Sequence, residues 1–239
     1  MFSKSAQYYD EVYASIDKDY SSKADKAHKI IQKFKQSKGK LLLDVACGTG
    51  AHAGTLRKHY KVEGLDLDPE MLSVARRKHP KITFHQGDMT NFDLSRQFDV
   101  IVCLFSSIGY VRTKSGLQKA IKSMNRHLRP GGVLLVEPWF TPKQWHPGRT
   151  FMTQVNEPDL KIVRMSHSGQ KGKISVLEFQ YLIGTSKGIK HHTEIHELGL
   201  FTHKEYMDAF KVTDLNVTHD SNGLDGRGLY IGQKPLNKQ

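Results

Sequence analysis

From residue 41 onward, apolar residues arrive in short runs separated by stretches of helical period. The runs are Leu41-Leu42-Leu43-Asp44-Val45-Ala46, Val62 to Leu67, Ile82 to Gln86, Phe98 to Phe105 and Val133 to Glu137. Most are too short for a helix and apolar at odd and even positions alike, the mark of strands covered on both faces. Between them, residues 51–60, 69–79 and 113–128 read as helices. Asp68 is an N-cap with Pro69 at the first helical position. Arg129-Pro130-Gly131-Gly132 is the stop after the third. Upstream, Ala24, Ala27, Ile30, Ile31 and Phe34 recur at helical spacing, and Gly39 ends that helix. Strand and helix in repeated alternation with short loops predict a parallel sheet flanked by helices.

The period changes after Trp139. Residues 160–168, 174–183 and 189–201 come close to strict alternation, punctuated by Gly169, Gly172, Gly184 and Gly188. They predict a small three-strand antiparallel insertion. A helix over 204–210 and strands over 216–219 and 228–233 then return to the main sheet. The expected class is α/β, doubly wound, with a mostly parallel seven-stranded sheet and the antiparallel insertion. No internal repeat or low-complexity tract is present.

Chemistry concentrates at one junction. Asp44-Val45-Ala46-Cys47-Gly48-Thr49-Gly50 joins the first strand to its helix, where glycines let backbone approach a ligand closely. Asp44 ends the first strand. Asp66 ends the second, where a carboxylate accepts from a ribose diol. Asp88, in Gly87-Asp88-Met89, ends the third, placed to accept from the exocyclic amine of adenine. A dinucleotide fingerprint would put its third glycine at Ala53, an allowed variant, but Ser106 and Ser107 after the fourth strand are unusual for a dehydrogenase. Acids before the loop and after the third strand point to S-adenosylmethionine. It carries no pyrophosphate, so the loop need not bind an anion, and Asp44 organises the loop and its contact to the methionine ammonium. Cys47 reads as a small buried residue rather than a nucleophile.

Composition narrows the setting. The 239 residues carry 36 Lys and Arg against 24 Asp and Glu, a net charge of +12, which favours anionic partners. Arg76-Arg77-Lys78 reads as the solvated, dipole-complementing end of a helix. No aromatic-interleaved basic stripe of the RNA-binding kind is visible. Cys47 and Cys103 are the only cysteines, too few to staple a chain of this size or to form a Cys-x-x-Cys zinc site. No apolar run approaches the ~20 residues that span a bilayer, and Met1-Phe2-Ser3-Lys4-Ser5 lacks a signal-peptide core. The expectation is a soluble, cytoplasmic protein with no membrane partner. Among thirteen histidines, His192 and His196 stand at helical i, i+4 spacing, but the pattern around them is strand and no metal is expected.

With those residues in view, the chain resembles the class I S-adenosylmethionine-dependent methyltransferases. Within them it is similar to the N,N-dimethyltransferases of nucleotide-linked (dTDP) amino sugars in desosamine and mycaminose biosynthesis, over nearly its whole length. The superfamily rests on Leu42 to Gly50 and His85-Gln86-Gly87-Asp88-Met89. The narrower likeness rests on Tyr9-Asp10 with Tyr13, Lys18-Asp19-Tyr20, Phe105-Ser106-Ser107-Ile108-Gly109-Tyr110, Val136-Glu137-Pro138-Trp139, Arg164-Met165-Ser166-His167-Ser168, Leu200-Phe201-Thr202 and Gly226-Arg227-Gly228-Leu229.

The resemblance implies a Rossmann-like cofactor domain (39–138 and 202–239), an N-terminal helical lid (1–38) and a β insertion covering the acceptor (139–201). It implies cofactor contacts from Tyr20, Asp44, Ala46, Gly48, Gly50, Asp66, Leu67, Asp88, Met89 and Phe105. Acceptor contacts fall to Tyr9, Tyr13, Ser107, Tyr110, Trp139, Arg164, His167 and Arg227. Of these, Tyr9, Tyr110 and His167 stand nearest the chemistry, and Arg164 and Arg227 are suited to pair with a diphosphate. The acid at position 66 is Asp where relatives often have Glu. Ala14-Ser15-Ile16-Asp17 replaces a glycine-containing stretch, and Pro142 to Gly148 diverges.

Two other readings stay open at this point. One keeps the fold and turns to another small amine or hydroxyl acceptor, or to RNA, although the Asn/Asp-Pro-Pro-Tyr/Phe motif of exocyclic base methylation is replaced by Phe105-Ser106-Ser107-Ile108. The other is a non-catalytic binding protein, against which the intact set of Asp44, Gly48, Gly50, Asp66 and Asp88 argues. A homodimer is left open.

Overall fold

The computed structural model describes residues 3–16 and 19–236. Met1 and Phe2, and the lid residues Asp17 and Lys18, lie outside the described residues. Two helices open the chain, α1 (Tyr9–Ala14) and α2 (Tyr20–Phe34). Asp19 caps the second, accepting from the Ser22 amide at 2.8 Å. The alternating core follows: β1 (Leu41–Val45), α3 (Ala51–Leu56), β2 (Lys61–Asp66), α4 (Pro69–Lys78), β3 (Thr83–Gln86), β4 (Phe98–Cys103), α5 (Lys114–Arg126) and β5 (Leu128–Val136). Four long strands come next, β6 (Thr150–Glu157), β7 (Leu160–Lys171), β8 (Ile174–Thr185) and β9 (Gly188–Gly199). The chain closes with α6 (His203–Lys211), β10 (Asn216–Asp220) and β11 (Leu229–Gln233).

The strands form two sheets. The first has seven, in the order β10-β11-β5-β4-β1-β2-β3. β1 to β5 pair in parallel, and β10 and β11 join antiparallel at one edge. This is the Rossmann-like α/β sheet expected from the alternation. Its central strands β1 and β4 are buried along their whole length because both faces are covered. Leu43, Val45, Ile101 and Leu134 face one cluster with α5 and α6, while Leu42, Val100, Val102 and Leu135 face another with α2, α3 and α4. Asp68 caps α4 as its sequence suggests, accepting from the Glu70 amide at 2.9 Å.

Two local differences have physical causes. Arg129 to Gly132 does not end before the strand but lies within β5 as a bulge. Phe98 pairs with Leu128, and two residues later Val100 pairs with Val133, with Gly131 at φ +74° making the excursion. The antiparallel sheet has four strands, in the order β6-β7-β8-β9, rather than three. β6 escapes the pattern because it is an edge strand whose one buried residue is Val155, so alternation has little to act on. None of the described helices is long and apolar enough to cross a membrane.

Ile101 lies at the centre of the seven-stranded sheet, between Leu43 of β1 and Leu134 of β5, with none of its surface exposed. We expect Ile101→Ala to cost about 3 kcal/mol through the cavity it leaves. A Tm lower by roughly 6–12 °C in thermal unfolding is the corresponding readout.

Candidate active site

The direction of winding reverses between β1 and β4, and in such sheets a crevice opens at the carboxyl ends of the strands. A cavity of about 570 Å³ lies there. One end is walled by the β1, β2 and β3 termini. The other is walled by Tyr9, Tyr13, Tyr110, Trp139 and Phe179, contributed by α1, the loops after β4 and β5, and the second sheet.

The backbone of the first loop is unusual in a way the sequence foretells only in part. Gly48 and Gly50 take φ of +55° and +77°, but Ala46 also sits at +57°. Asp44 sits above this loop, 2 % exposed. Burial, and then the nearby Asp66 carboxylate, push its acid up to about 8, against a pull from the Ala53 amide. Its Oδ2 is enclosed without a hydrogen-bond partner among the described residues. An enclosed carboxylate lining a cavity is suited to a cation that supplies the missing contact. Asp66 accepts from the Gly48 amide at 2.7 Å and the Asp68 amide at 2.9 Å, one on each oxygen. Each oxygen keeps a lone pair for a diol. Asp88 is exposed at the rim and holds the Thr90 amide and hydroxyl at 2.8 and 2.9 Å. Leu67 and Met89 supply apolar lining beside these acids. Tyr20 begins α2 and stands edge-on to His52, their ring centres 4.9 Å apart.

The loop after β4 is strained. Phe105 and Ser106 both adopt left-handed backbone, at φ +53° and +61°. A clamp holds them: the Phe105 amide donates to the fully buried Glu137 at 2.5 Å, and the Ser106 hydroxyl donates to the Pro138 carbonyl at 2.6 Å. Arg227 reaches the same place. It donates to Ser106 Oγ at 3.1 Å, pairs with Asp225 at 2.5 Å and with Glu137 at 3.4 Å, and lies over the Phe105 ring. It lines the cavity, but as the centre of an ion-pair cluster with two carboxylates rather than as an unpaired cation.

Tyr9, Tyr13 and Tyr110 meet at the aromatic end, where Tyr9 and Tyr13 have ring centres 4.4 Å apart. Burial first, then the neighbouring phenols, raise the Tyr9 acid well above its ordinary range. The three are therefore neutral hydrogen-bonding groups. Trp139 anchors the wall through its Nε1–H, donated to Ser175 at 2.8 Å. Ser107 lines the cavity beside Tyr110.

Two expected residues fall elsewhere. Arg164 is 7 % exposed and stacks over Tyr13 and Phe179, at 5.2 and 4.8 Å from their ring centres. It supports the wall from behind instead of lining the cavity. His167 points from the opposite, exposed face of β7. Strand geometry requires this, because residues three apart on one strand face opposite ways. While His52 lines the cofactor end beside Tyr20, the histidine at the acceptor end of the cavity is His196 of β9. The pattern around it reads as strand, and His192 lies about 13 Å from it along the same face, too far to share an ion.

Several groups of the site escape sequence reasoning. Glu194 and Phe179 carry no motif of their own, and Glu137, though part of Val136-Glu137-Pro138-Trp139, has no role that its motif names. His196 is visible only as one member of a histidine run, and its signal is strand parity with Glu194 two residues earlier. The N-terminal segment is tied across both sheets. Lys4 and Ser5 amides donate to Glu194, and Thr49 of the first loop donates to Asp10 at 2.7 Å.

Comparisons with known proteins agree with this arrangement. A family described as a methyltransferase domain matches residues 42–132. The dTDP-3-amino-3,6-dideoxy-alpha-D-glucopyranose N,N-dimethyltransferase of Streptomyces fradiae is 38% identical over 95% of this chain and 89% of its own. The crystal structure of Streptomyces venezuelae DesVI superposes with a TM-score of 0.90 at 36% identity, over 97% of this chain and 98% of that one. CalS10 from Micromonospora echinaspora, an amino pentose methyltransferase solved with S-adenosylmethionine bound, gives 0.84 at 34%, over 95% and 96%.

Asp44 generates a prediction of its own. Its folded acid lies at about 8, above the ordinary aspartate value of 3.8. The unfolded chain therefore ionises first, and the stability of the ligand-free protein falls as pH rises between those values, then levels off above the folded one. Asp44→Asn removes that penalty and raises the Tm at pH 7.5 by roughly 4–10 °C. The gain disappears near pH 4. Differential scanning calorimetry at the two pH values checks both the sign and the window.

Proposed function

Since the chain belongs to the S-adenosylmethionine-dependent N,N-dimethyltransferases of nucleotide-linked amino sugars, we propose that its cavity holds that cofactor at the strand ends and a dTDP-linked amino sugar against the aromatic wall. The protein is an enzyme, a methyltransferase. The observation that carries the acceptor is the extent of the likeness. It runs through the antiparallel sheet as well as the cofactor half, so the wall that meets the acceptor is shared too.

The residues present fit the cofactor. Asp44 offers an enclosed carboxylate to the methionine ammonium, beside the backbone of Ala46 and Gly48; Gly50, expected as a contact, packs against His79 and Phe84 and turns the chain into α3 without lining the cavity. Asp66 has lone pairs for the ribose hydroxyls, Asp88 stands ready for the adenine amine, and Leu67, Met89 and Phe105 cover apolar surface. Tyr20 closes this end from α2. When bound, S-adenosylmethionine supplies a methyl carbon already activated by the positive charge on its sulfur. What this chain must add is alignment of the acceptor nitrogen, exclusion of water and removal of a proton.

Tyr9, Tyr13, Ser107, Tyr110 and Trp139 position the amino sugar, and the N-terminal helices close over it. Arg227, already paired with Asp225 and Glu137, serves this wall by holding Ser106 and Phe105 rather than by clamping the acceptor's diphosphate. Arg164 acts indirectly, by fixing Tyr13. His167 has no part in this reading. The lid, cofactor and insertion segments at 1–38, 39–138 with 202–239, and 139–201 stand as functional divisions of the proposal. A reducing, cytoplasmic setting suits its two buried free thiols. A homodimer belongs to the proposal as well: light scattering in solution reads twice the chain's 27.2 kDa if it forms and 27.2 kDa if it does not.

Calorimetric titration tests the assignment. S-adenosylhomocysteine binds the wild-type chain, and Asp44→Asn weakens it at least tenfold, an effect of the size expected for a lost charge-assisted contact. With the cofactor product present, dTDP-3-amino-3,6-dideoxy-glucose binds in turn. Mass spectrometry of turnover mixtures then shows addition of one and then two methyl groups. Cofactor-product binding without sugar binding removes the proposed acceptor.

A further inference from the structure

A chain of three polar groups stands at the acceptor end of the cavity. Tyr110 Oη lies 2.8 Å from Nδ1 of His196. Nε2 of the same ring faces Glu194 Oε2 at 3.6 Å. His196 is 1 % exposed and Glu194 5 %, yet Tyr110 and His196 both line the cavity. Glu194 is held in turn by the Lys4 and Ser5 amides at 2.9 and 3.0 Å and by the Ser5 hydroxyl at 2.8 Å. The Glu194 carboxylate at 3.6 Å favours the ring proton on Nε2, and with that tautomer Nδ1 is an acceptor. Tyr110 therefore donates its one proton to the imidazole. Its oxygen keeps lone pairs for a hydrogen-bond donor in the cavity.

We propose that Tyr110 and His196 remove the proton from the acceptor's amino group, with Glu194 steadying the imidazole. This rests on the amino-sugar reading. The N–H bond breaks and leaves its electron pair on nitrogen. The proton bonds to Tyr110 Oη, while the phenol's own proton moves to Nδ1 of His196. The imidazolium so formed is balanced by the Glu194 carboxylate. Tyr110 touches the substrate; His196 acts through it.

The chemistry calls for such a relay. An aliphatic amine near neutral pH is mainly ammonium and has no electron pair to give. Each methylation leaves a new cation on nitrogen, which must lose a proton before a second methyl can follow. The relay is thus used in each round, and between rounds, as cofactor product leaves and the cavity admits water, the imidazolium gives its proton to solvent through Tyr110.

The surroundings are consistent with this role. Burial, against the pull of Glu194, lowers the His196 acid below the ordinary histidine range, so the ring is neutral and able to accept. Burial, with Tyr13 and Glu194, keeps the Tyr110 proton on until it is passed along. Among the described residues, the charged and titratable groups acting on the pair include Glu194 of β9, Arg164 of β7, Tyr181 of β8, Tyr13 of α1 and the more distant Asp66 of β2. Burial opposes ionisation of Glu194, but hydrogen bonds from His196 and Ser5 hold it below the usual carboxylate range.

The test uses the full chain as wild type, His196→Asn and Tyr110→Phe, with dTDP-3-amino-3,6-dideoxy-glucose as acceptor. Asparagine leaves a side-chain oxygen able to accept from Tyr110 but takes no proton. We expect kcat near pH 7 to fall about 100-fold in each variant, the scale of general-base catalysis. The deficit shrinks as pH rises and solvent deprotonates the amine, while S-adenosylhomocysteine binding stays close to wild type in both variants and KM does so in His196→Asn. A readout independent of turnover comes from NMR titration of isotope-labelled histidine in the cofactor-free protein. Tyr110→Phe removes a donor that favours the neutral ring, so His196 titrates at higher pH. Wild-type kcat in His196→Asn, a deficit equal at every pH, or an unmoved His196 titration would overturn the proposal. Absence of wild-type turnover counts against the amino-sugar acceptor instead, and the titration, which needs no acceptor, still decides the Tyr110–His196 bond.

Discussion

The site is organised around a carboxylate in a place that penalises charge. Asp44 ends a strand whose neighbours are Leu43 and Val45, both fully buried, and its Oδ2 finds no hydrogen-bond partner among the described residues. Removing a carboxylate from water in this way is unfavourable unless a cation or donors compensate it. The surrounding fold is what keeps it there. Parallel pairing on both sides of β1 holds the strand rigid, and the loop with Ala46, Gly48 and Gly50 at positive φ turns the chain away so that the oxygen faces open space. Stability is given up locally to make a strong point of attraction for one kind of ligand. The apolar clusters on both faces of the sheet are large enough to tolerate that loss.

The acceptor side is built on a different principle. No single element owns it. α1 supplies Tyr9 and Tyr13, the β4 loop supplies Tyr110, and the second sheet supplies Phe179 and His196. Such a site depends on how its parts are tied together. Glu137 ties β5 to the strained β4 loop, Arg164 ties β7 to Tyr13, and Glu194 ties β9 to the N-terminal segment. These supporting residues touch no ligand in the proposed reading, yet they set where the aromatic groups stand.

Much of the cofactor half was legible in the sequence, because its signals are local. Apolar runs on both parities mark strands buried on two faces, and the acids at their ends fall on the cavity rim as spacing implies. Asp68 with Pro69 gives α4 its start for the same reason. The acceptor half was less legible because its logic is non-local. Arg227 looks like a phosphate clamp until Glu137 and Asp225 are seen around it, and nothing near Arg227 in sequence announces Glu137. β6 has too few buried positions to show a period. His167 is a different lesson. The alternation of β7 was visible, and it already set Arg164 and His167 on opposite faces. The Ser-His-Ser motif is a louder signal than that parity, and His196, two residues from Glu194 on β9, stands in the sequence as one of a run of histidines at metal-like spacing.

The grip of Ser5 on Glu194 joins positions 189 residues apart. During synthesis, residues 3–14 leave the ribosome long before residue 194 exists; Val12 and Tyr13 can meet β6 and β7 earlier, but the clasp of Ser5 has no partner until β9 is made. Closing so long a loop by diffusion costs conformational entropy that local elements do not face. The cofactor half can therefore condense first, with its crevice open on the acceptor side, and the N-terminal segment is the piece that waits. The catalytic enclosure becomes complete only when the order of manufacture has been reversed in space, the early segment settling last onto the late one.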